Sequence, residues 1–210
     1  MPRRNVLKID APYSYYHVFA RGASKQRIFL DNQDFLFFLS LFQRYLSPAI
    51  ARNSAGVRYQ KLHNDLQLQA YCLMGNHFHL LLYQQTEGSM QRLMRGVMTA
   101  YSRYHNAKYD RSGQLFESRY KAARLPDQSY APRVSRYIHR NPISWFAYPY
   151  SSLTYYLDSP SPDWLQPGPV LARFATPLEY EAYLADSRAA EDDRQELKLL
   201  LADDGYEADL

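Results

Sequence analysis

The chain has 210 residues, 46% of them hydrophobic, and a net charge of +4, which places it among globular proteins with one sizeable core and excludes a disordered or fibrous class. It contains no run of about 18 apolar residues and no secretory h-region, so a cytosolic protein without a membrane span is expected. The single cysteine, Cys72, excludes an internal disulfide framework and a thiolate zinc site, and its apolar neighbours give it a core role. The small net charge conceals a division: residues 1–150 carry +13 and residues 151–210 carry −9, with all six histidines and 15 of the 20 tyrosines in the basic part. Basic groups interleaved with aromatic rings suit phosphates and unpaired bases, and an ordinary solvated surface is the competing explanation.

In chain order, Tyr15-Tyr16-His17-Val18-Phe19-Ala20 has the composition of a strand, closed by a turn at Arg21-Gly22. Asp31 is a good N-cap for an amphipathic helix with apolar positions Phe35, Phe38, Leu39, Phe42, Tyr45 and Leu46, stopped by Ser47-Pro48. After a polar loop over 49–65, Leu66, Leu68, Ala70, Cys72 and Met74 alternate with Gln67, Gln69 and Tyr71, the period of a strand with one apolar face. Gly75-Asn76 is a two-residue hairpin turn, and a third strand returns from His77. Ser89 then caps a helix whose stripe of Met90, Leu93, Met94, Val97, Met98, Tyr101 and Tyr104 reads as core packing, with Gln91, Arg92, Arg95, Ser102 and Arg103 opposite. Phe116–Leu125 reads as a fourth strand bearing Arg119, Lys121 and Arg124.

Strand, helix, strand, strand, helix, strand is the ferredoxin-like split βαβ order, an α+β fold in which two helices cover one face of a four-stranded antiparallel sheet and the other face stays open for a site. A further short helix is expected from about Pro132, admissible only in a first turn, to Asn141, where Pro142 stops it. On it Tyr137 and Asn141, four apart, share a face beside Arg133, Arg136 and Arg140. Beyond lies an irregular aromatic segment, then short helices over Leu178–Leu184 and Asp193–Leu201 in an acidic stretch that either stays solvated or folds over the basic part.

His77 and His79 are two apart on a strand, so both imidazoles leave one face while Phe78, Leu80 and Leu82 enter a core. Two neutral ring nitrogens side by side suit one metal ion, although His-x-His also arises by chance in strands.

These segments together resemble the single-tyrosine HUH transposases, and within them the REP-associated tyrosine transposases. The likeness rests on Tyr16-His17-Val18 with Arg21-Gly22, the run from Tyr71 to Leu81, Arg111-Ser112-Gly113 with Phe116 and Arg119-Tyr120, and Tyr137-Ile138 with Asn141-Pro142. It departs at Gly75, where a proline is usual, at Phe116, where a tryptophan is common, and in the long loop over 49–65. The resemblance implies a transposase domain over residues 13–157 with an acidic, partly helical extension over 158–210. It also implies a metal-dependent nuclease and strand transferase acting on single-stranded DNA beside a REP-like hairpin. His77, His79 and Asn141 would be ligands of Mg²⁺ or Mn²⁺, and Tyr137 the nucleophile that forms a 5′-phosphotyrosine. Candidate DNA contacts are Arg21, Arg92, Arg95, Arg103, Arg119, Lys121, Arg124, Arg136 and Arg140, with Tyr13, Tyr15 and Tyr104 available to stack on bases. A hairpin-binding protein without cleavage, or a zinc-dependent hydrolase, remains the alternative, and monomer or homodimer is undecided.

Overall fold

The computed structural model describes residues 10–201; the final residues of the acidic extension, 202–210, lie outside them. Strands β1 (Ser14–Arg21), β2 (Leu66–Met74), β3 (His77–Gln84) and β4 (Lys121–Arg124) form one sheet in the order β2-β3-β1-β4, every neighbour antiparallel. Helices α1 (Asn32–Leu46) and α2 (Ser89–Lys108) lie on one face, completing the split βαβ arrangement.

Alternation decides what each face carries. Tyr16, Val18 and Ala20 of β1 and Phe78, Leu80 and Leu82 of β3 enter a core with Phe38 and Phe42 of α1 and Leu93, Met94 and Val97 of α2. Removing each Val, Leu, Met or Phe side chain among these from water stabilises the fold by roughly 1.5–3 kcal/mol. Asp31 caps α1 as expected: its carboxylate accepts from the Asp34 amide at 3.1 Å, while the Asp34 carboxylate accepts from the Asp31 amide at 3.3 Å. Ser89, in contrast, is the first residue of α2 and not its cap. Gly88 takes the N-cap position at φ 77°, and the acceptor is Gln84 Oε1, bonded to the Met90 amide at 2.9 Å.

Three expectations are corrected. The second face of the sheet is not open. Helix α3 (Ala131–His139) packs over β2 and β3, and the short helices α4 (Thr154–Leu157), α5 (Gly168–Leu171) and α6 (Pro177–Ala185) complete a second core around Val134, Ile138, Tyr156, Val170, Tyr180 and Leu184. Nor does β2 present one apolar face. Its pairing with β3 shifts between Leu68 and Ala70, so Leu66 and Leu68 join the first core while Ala70, Cys72 and Met74 join the second. The expected fourth strand is shorter, since Phe116 makes only an isolated bridge to Gly22 before β4 begins at Lys121.

Helix α7 (Ser187–Leu201) lies against α3. Arg136 is 4% exposed and bonds Asp193 through Nε at 3.0 Å and through a second, shorter contact from Nη2, while Nη1 and Nη2 donate to the Tyr183 and Ala189 carbonyls. The acidic extension therefore contributes a carboxylate that neutralises a buried cation of α3. Among the described residues no helix is long and apolar enough to cross a membrane.

Candidate active site

His77 and His79 are fully buried on the face of β3 covered by α3. The hairpin turn fixes the first ring: Asn76 Oδ1 sits 2.5 Å from His77 Nδ1, and Asn76 Nδ2 points to the Lys25 carbonyl at 3.4 Å. That amide orientation makes Oδ1 the acceptor of an Nδ1–H and leaves Nε2 as the lone-pair atom of His77. Across from it lies Asn141 Oδ1 at 3.1 Å, and Asn141 Nδ2 is 3.5 Å from His79 Nε2.

Tyr137 stands beside this cluster, its ring edge-on to His79 at 5.6 Å and 86°. A third imidazole joins them. His17 on β1 meets Tyr137 edge-on at 5.6 Å and puts Nε2 2.9 Å from His79 Nδ1. Sequence reasoning used Tyr16-His17-Val18 as a family mark and gave His17 no role. The signal that finds it is strand pairing: Phe19 faces His79 and His17 faces Leu81, so odd-numbered residues of β1 share the imidazole face.

Helix α3 is positioned by both ends of its apolar stripe and by polar anchors. Val134 and Ile138 enter the second core. His139, fully buried, bonds Tyr180 Oη through Nδ1 and Ser152 Oγ through Nε2, both at 2.7 Å. The helix ends at His139 with Arg140 as its C-cap, two residues before the expected stop. Asn141 thus follows the last turn, its amide still bonded to the Ile138 carbonyl at 3.3 Å. Freed from helical geometry, its side chain reaches the imidazoles while Tyr137 stays on the helix.

Burial sets the protonation of the rings. His17 is held neutral, its pKa lowered to about 3 by desolvation. His79 falls well below the usual imidazole value, first through desolvation and then through the charges of His77, His17 and Arg21. Neutral rings offer lone pairs at neutral pH, as metal ligation requires.

The nine candidate DNA-contacting cations separate by face. Arg21 pairs with His77, and Lys121, opposite Phe19, holds Nζ 5.5 Å from the Phe19 ring, so both lie on the imidazole side. Arg140 borders Tyr137 and Asn141 in a cavity of about 310 Å³ that also contacts Trp145 and Arg194. Exposed Arg95 and Arg103, with Arg92 beside Asp65 at 3.8 Å, lie on the outer side of α2, across the sheet from the histidines. Exposed Arg119 and Arg124 flank the ends of β4, the latter bonded to Ser14 Oγ at 3.1 Å. Arg136 is corrected as a surface contact, because its guanidinium is consumed by Asp193 and two carbonyls. Of the stacking candidates, Tyr104 packs on Phe37 at 3.9 Å and bonds Asp34, Tyr15 leans on Tyr83 at 4.6 Å, and Tyr13 is 77% exposed.

Two imidazole nitrogens and one amide oxygen are a mixed donor set that would admit a divalent ion, Mn²⁺ more readily than Mg²⁺. Cis ligands of an octahedral ion of this size lie about 3 Å apart, close to the 3.1 Å between Asn141 Oδ1 and His77 Nε2; toward His79 the Asn141 side chain presents its amide nitrogen, at 3.5 Å. With Nδ1 of His77 donating to Asn76, the His77 and Asn141 acceptors face one another, a repulsion that a shared cation removes. Among the described residues no group of three or more His, Cys, Asp or Glu could hold a metal ion; the non-imidazole oxygen within reach of His77 Nε2 is Asn141 Oδ1.

No curated protein sequence matches the chain. Among solved structures it is similar to a REP-associated tyrosine transposase bound to a REP hairpin, with a TM-score of 0.51 and 11% identity over 71% of this chain and 82% of that one. A protein from Deinococcus radiodurans R1, assigned as a transposase, gives a TM-score of 0.38 and 14% identity over 67% of this chain and 97% of the other. Residues 51–141 match the family model described as "Transposase IS200 like", a span that contains His77, His79, Tyr137 and Asn141. Residues 51–141 are thus similar to the IS200-like transposases, and the fold resembles that of the REP-associated tyrosine transposase structure.

Proposed function

We propose that this protein cuts and rejoins single-stranded DNA, with Tyr137 as the nucleophile and His77, His79 and Asn141 as the residues that hold Mg²⁺ or Mn²⁺. The observation that carries the reading is the convergence of one phenol and three metal-capable donors: Tyr137 edge-on to His79 at 5.6 Å, and Asn141 within 3.1 and 3.5 Å of the two imidazoles. A divalent ion at those donors would supply positive charge to a non-bridging phosphate oxygen.

The chain's own residues do the rest. The sheet holds the two imidazoles and α3 holds the phenol on rigid elements, which limits the motion needed to bring Tyr137 Oη in line with the scissile bond. Arg21, Lys121 and Arg140, on the same side, offset phosphate charge. Oη forms the new phosphorus–oxygen bond as the bond to the 3′-oxygen breaks; the phenol loses one proton and the departing 3′-oxygen gains one. The product is a 5′-phosphotyrosine and a free 3′-hydroxyl. Because one phosphodiester replaces another, attack by a second 3′-hydroxyl reverses the step and joins strands without a nucleotide cofactor.

The hairpin in the similar REP-associated transposase structure belongs to that protein; for this chain a hairpin beside the cut strand is part of the proposal. The exposed cations on α2 are far from the imidazole face and suit a duplex stem better than the reacting phosphate.

Incubation with hairpin-bearing single-stranded DNA and Mn²⁺ should give a covalent adduct on a denaturing gel. The adduct should vanish in Tyr137→Phe with DNA binding retained. Binding without any adduct in the parent protein would instead favour a hairpin-binding protein, and an adduct that persists in Tyr137→Phe would move the nucleophile elsewhere.

A further inference from the structure

His17 reaches the site without facing the proposed ion. It is fully buried, its ring plane differs from that of His79 by 7°, and the centroids are 5.0 Å apart. With Nε2 only 2.9 Å from His79 Nδ1, the rings lie edge to edge in nearly one plane, the geometry of an N–H···N hydrogen bond and not of face-to-face stacking. We infer that His17 is a positioning residue, whose Nε2 accepts the Nδ1–H of His79 and so fixes the tautomer in which His79 Nε2 is the ligating atom.

The inference rests on the reading of His77, His79 and Asn141 as metal ligands. Two neutral rings share one hydrogen in this contact. If His79 donates it, His79 Nε2 carries a lone pair and can ligate. If His17 donates it, the His79 proton sits on Nε2 and ligation is blocked. In the ligating arrangement the remaining His17 proton is on Nδ1, which has no hydrogen-bond partner among the described residues.

The two proposed ligands are supported in parallel ways. His77 has its Nδ1 held by Asn76 from the turn, at 2.5 Å, and His79 has its Nδ1 held by His17 from the neighbouring strand, at 2.9 Å. Partners of this kind orient the ring and raise its basicity, and losing one weakens metal affinity by about 10–100-fold. Arg21 and Lys121 lie on the same face of the sheet.

The test is Mn²⁺ affinity, followed by the electron paramagnetic resonance signal of free ion, in parent, His17→Leu and His17→Gln. Leucine removes the acceptor, whereas the glutamine amide oxygen can receive the His79 Nδ1–H. The expected pattern is a loss of about 10–100-fold in His17→Leu, with most of the affinity recovered in His17→Gln. Equal Mn²⁺ affinity in parent and folded His17→Leu would overturn the role of His17 and leave the metal site standing. Absence of Mn²⁺ binding by the parent would overturn the metal reading itself. Should the leucine variant not fold, ¹⁵N spectra of histidine-labelled parent with Mg²⁺ decide: an Nδ1–H tautomer at His79 is expected, and an Nε2–H tautomer refutes the assignment.

Discussion

Replacing Asp193 by Asn keeps the side-chain shape and removes the counter-charge of a cation that has almost no access to water. Arg136 is 4% exposed and its partner's side chain 7%. Breaking a buried pair from one side costs roughly 3–5 kcal/mol, because the surviving charge is left uncompensated. The Tyr183 and Ala189 carbonyls still accept from Arg136 at 3.0 and 3.1 Å, which places the loss near the lower end, ~3 kcal/mol. For a chain of this size that is a melting-point drop on the order of 6–12 °C. Arg133, 43% exposed, also approaches Asp193 at 3.3 Å and bonds Glu196 at 2.8 Å, but an exposed pair contributes only about 0–1 kcal/mol. Glu196→Gln is therefore the control. Thermal unfolding followed by circular dichroism should show a large decrease for Asp193→Asn, a small one for Glu196→Gln, and recovery when Arg136→Met is combined with Asp193→Leu. Equal melting temperatures for Asp193→Asn and Glu196→Gln would refute the reasoning that α7 is fastened to α3 by this charge.

His139 makes stability depend on pH. Its folded pKa is lowered to about 3 by burial, so between that value and about 6.5 the unfolded chain takes up a proton that the folded chain does not, and stability falls as pH falls. For this residue the loss from pH 8 to pH 5.5 is about 1.4 kcal/mol. Urea titrations at the two pH values should show the parent losing that much more than His139→Gln, and equal losses would count against the buried neutral ring. At Gly22 a methyl group would meet the Gln26 carbonyl oxygen at 2.2 Å and Ile28 Cγ2 at 2.9 Å. Gly22→Ala should cost at least about 1–3 kcal/mol, read from the same titrations, and a neutral substitution would show that the segment after β1 yields easily.

The element order, the cap at Asp31 and the hairpin turn at Gly75-Asn76 were legible in the sequence because each depends on residues close in the chain. Pairing of His77 with His79 followed from alternation alone. Three features were not legible because they depend on contacts between distant segments. Covering of the second face by α3 follows from tertiary packing of Val134 and Ile138, which their spacing does not reveal. Burial of Arg136 needs Asp193, 57 residues away. His17 becomes part of the candidate site only once β1 lies beside β3, 62 residues from its partner His79. The choice of Tyr137 among 20 tyrosines came from family likeness, and the geometry around that ring adds to the likeness without deriving from it.

The break in pairing at Gln69 makes β2 a strand with two allegiances. Its first half is in phase with the α1 and α2 layer and its second half with the α3 layer. Gln69 is fully buried at the changeover, and its carbonyl accepts from Tyr156 Oη at 2.8 Å. Deleting that one residue would straighten the strand and throw one half out of phase, sending Leu66 and Leu68 toward α3 or Cys72 and Met74 toward α1. In the second case the floor beneath α3 is exchanged for Tyr71 and Leu73, side chains too large for the places of Ala70 and Cys72. The distance between phenol and imidazoles is thus set in part by the length of a strand that contributes no side chain to either.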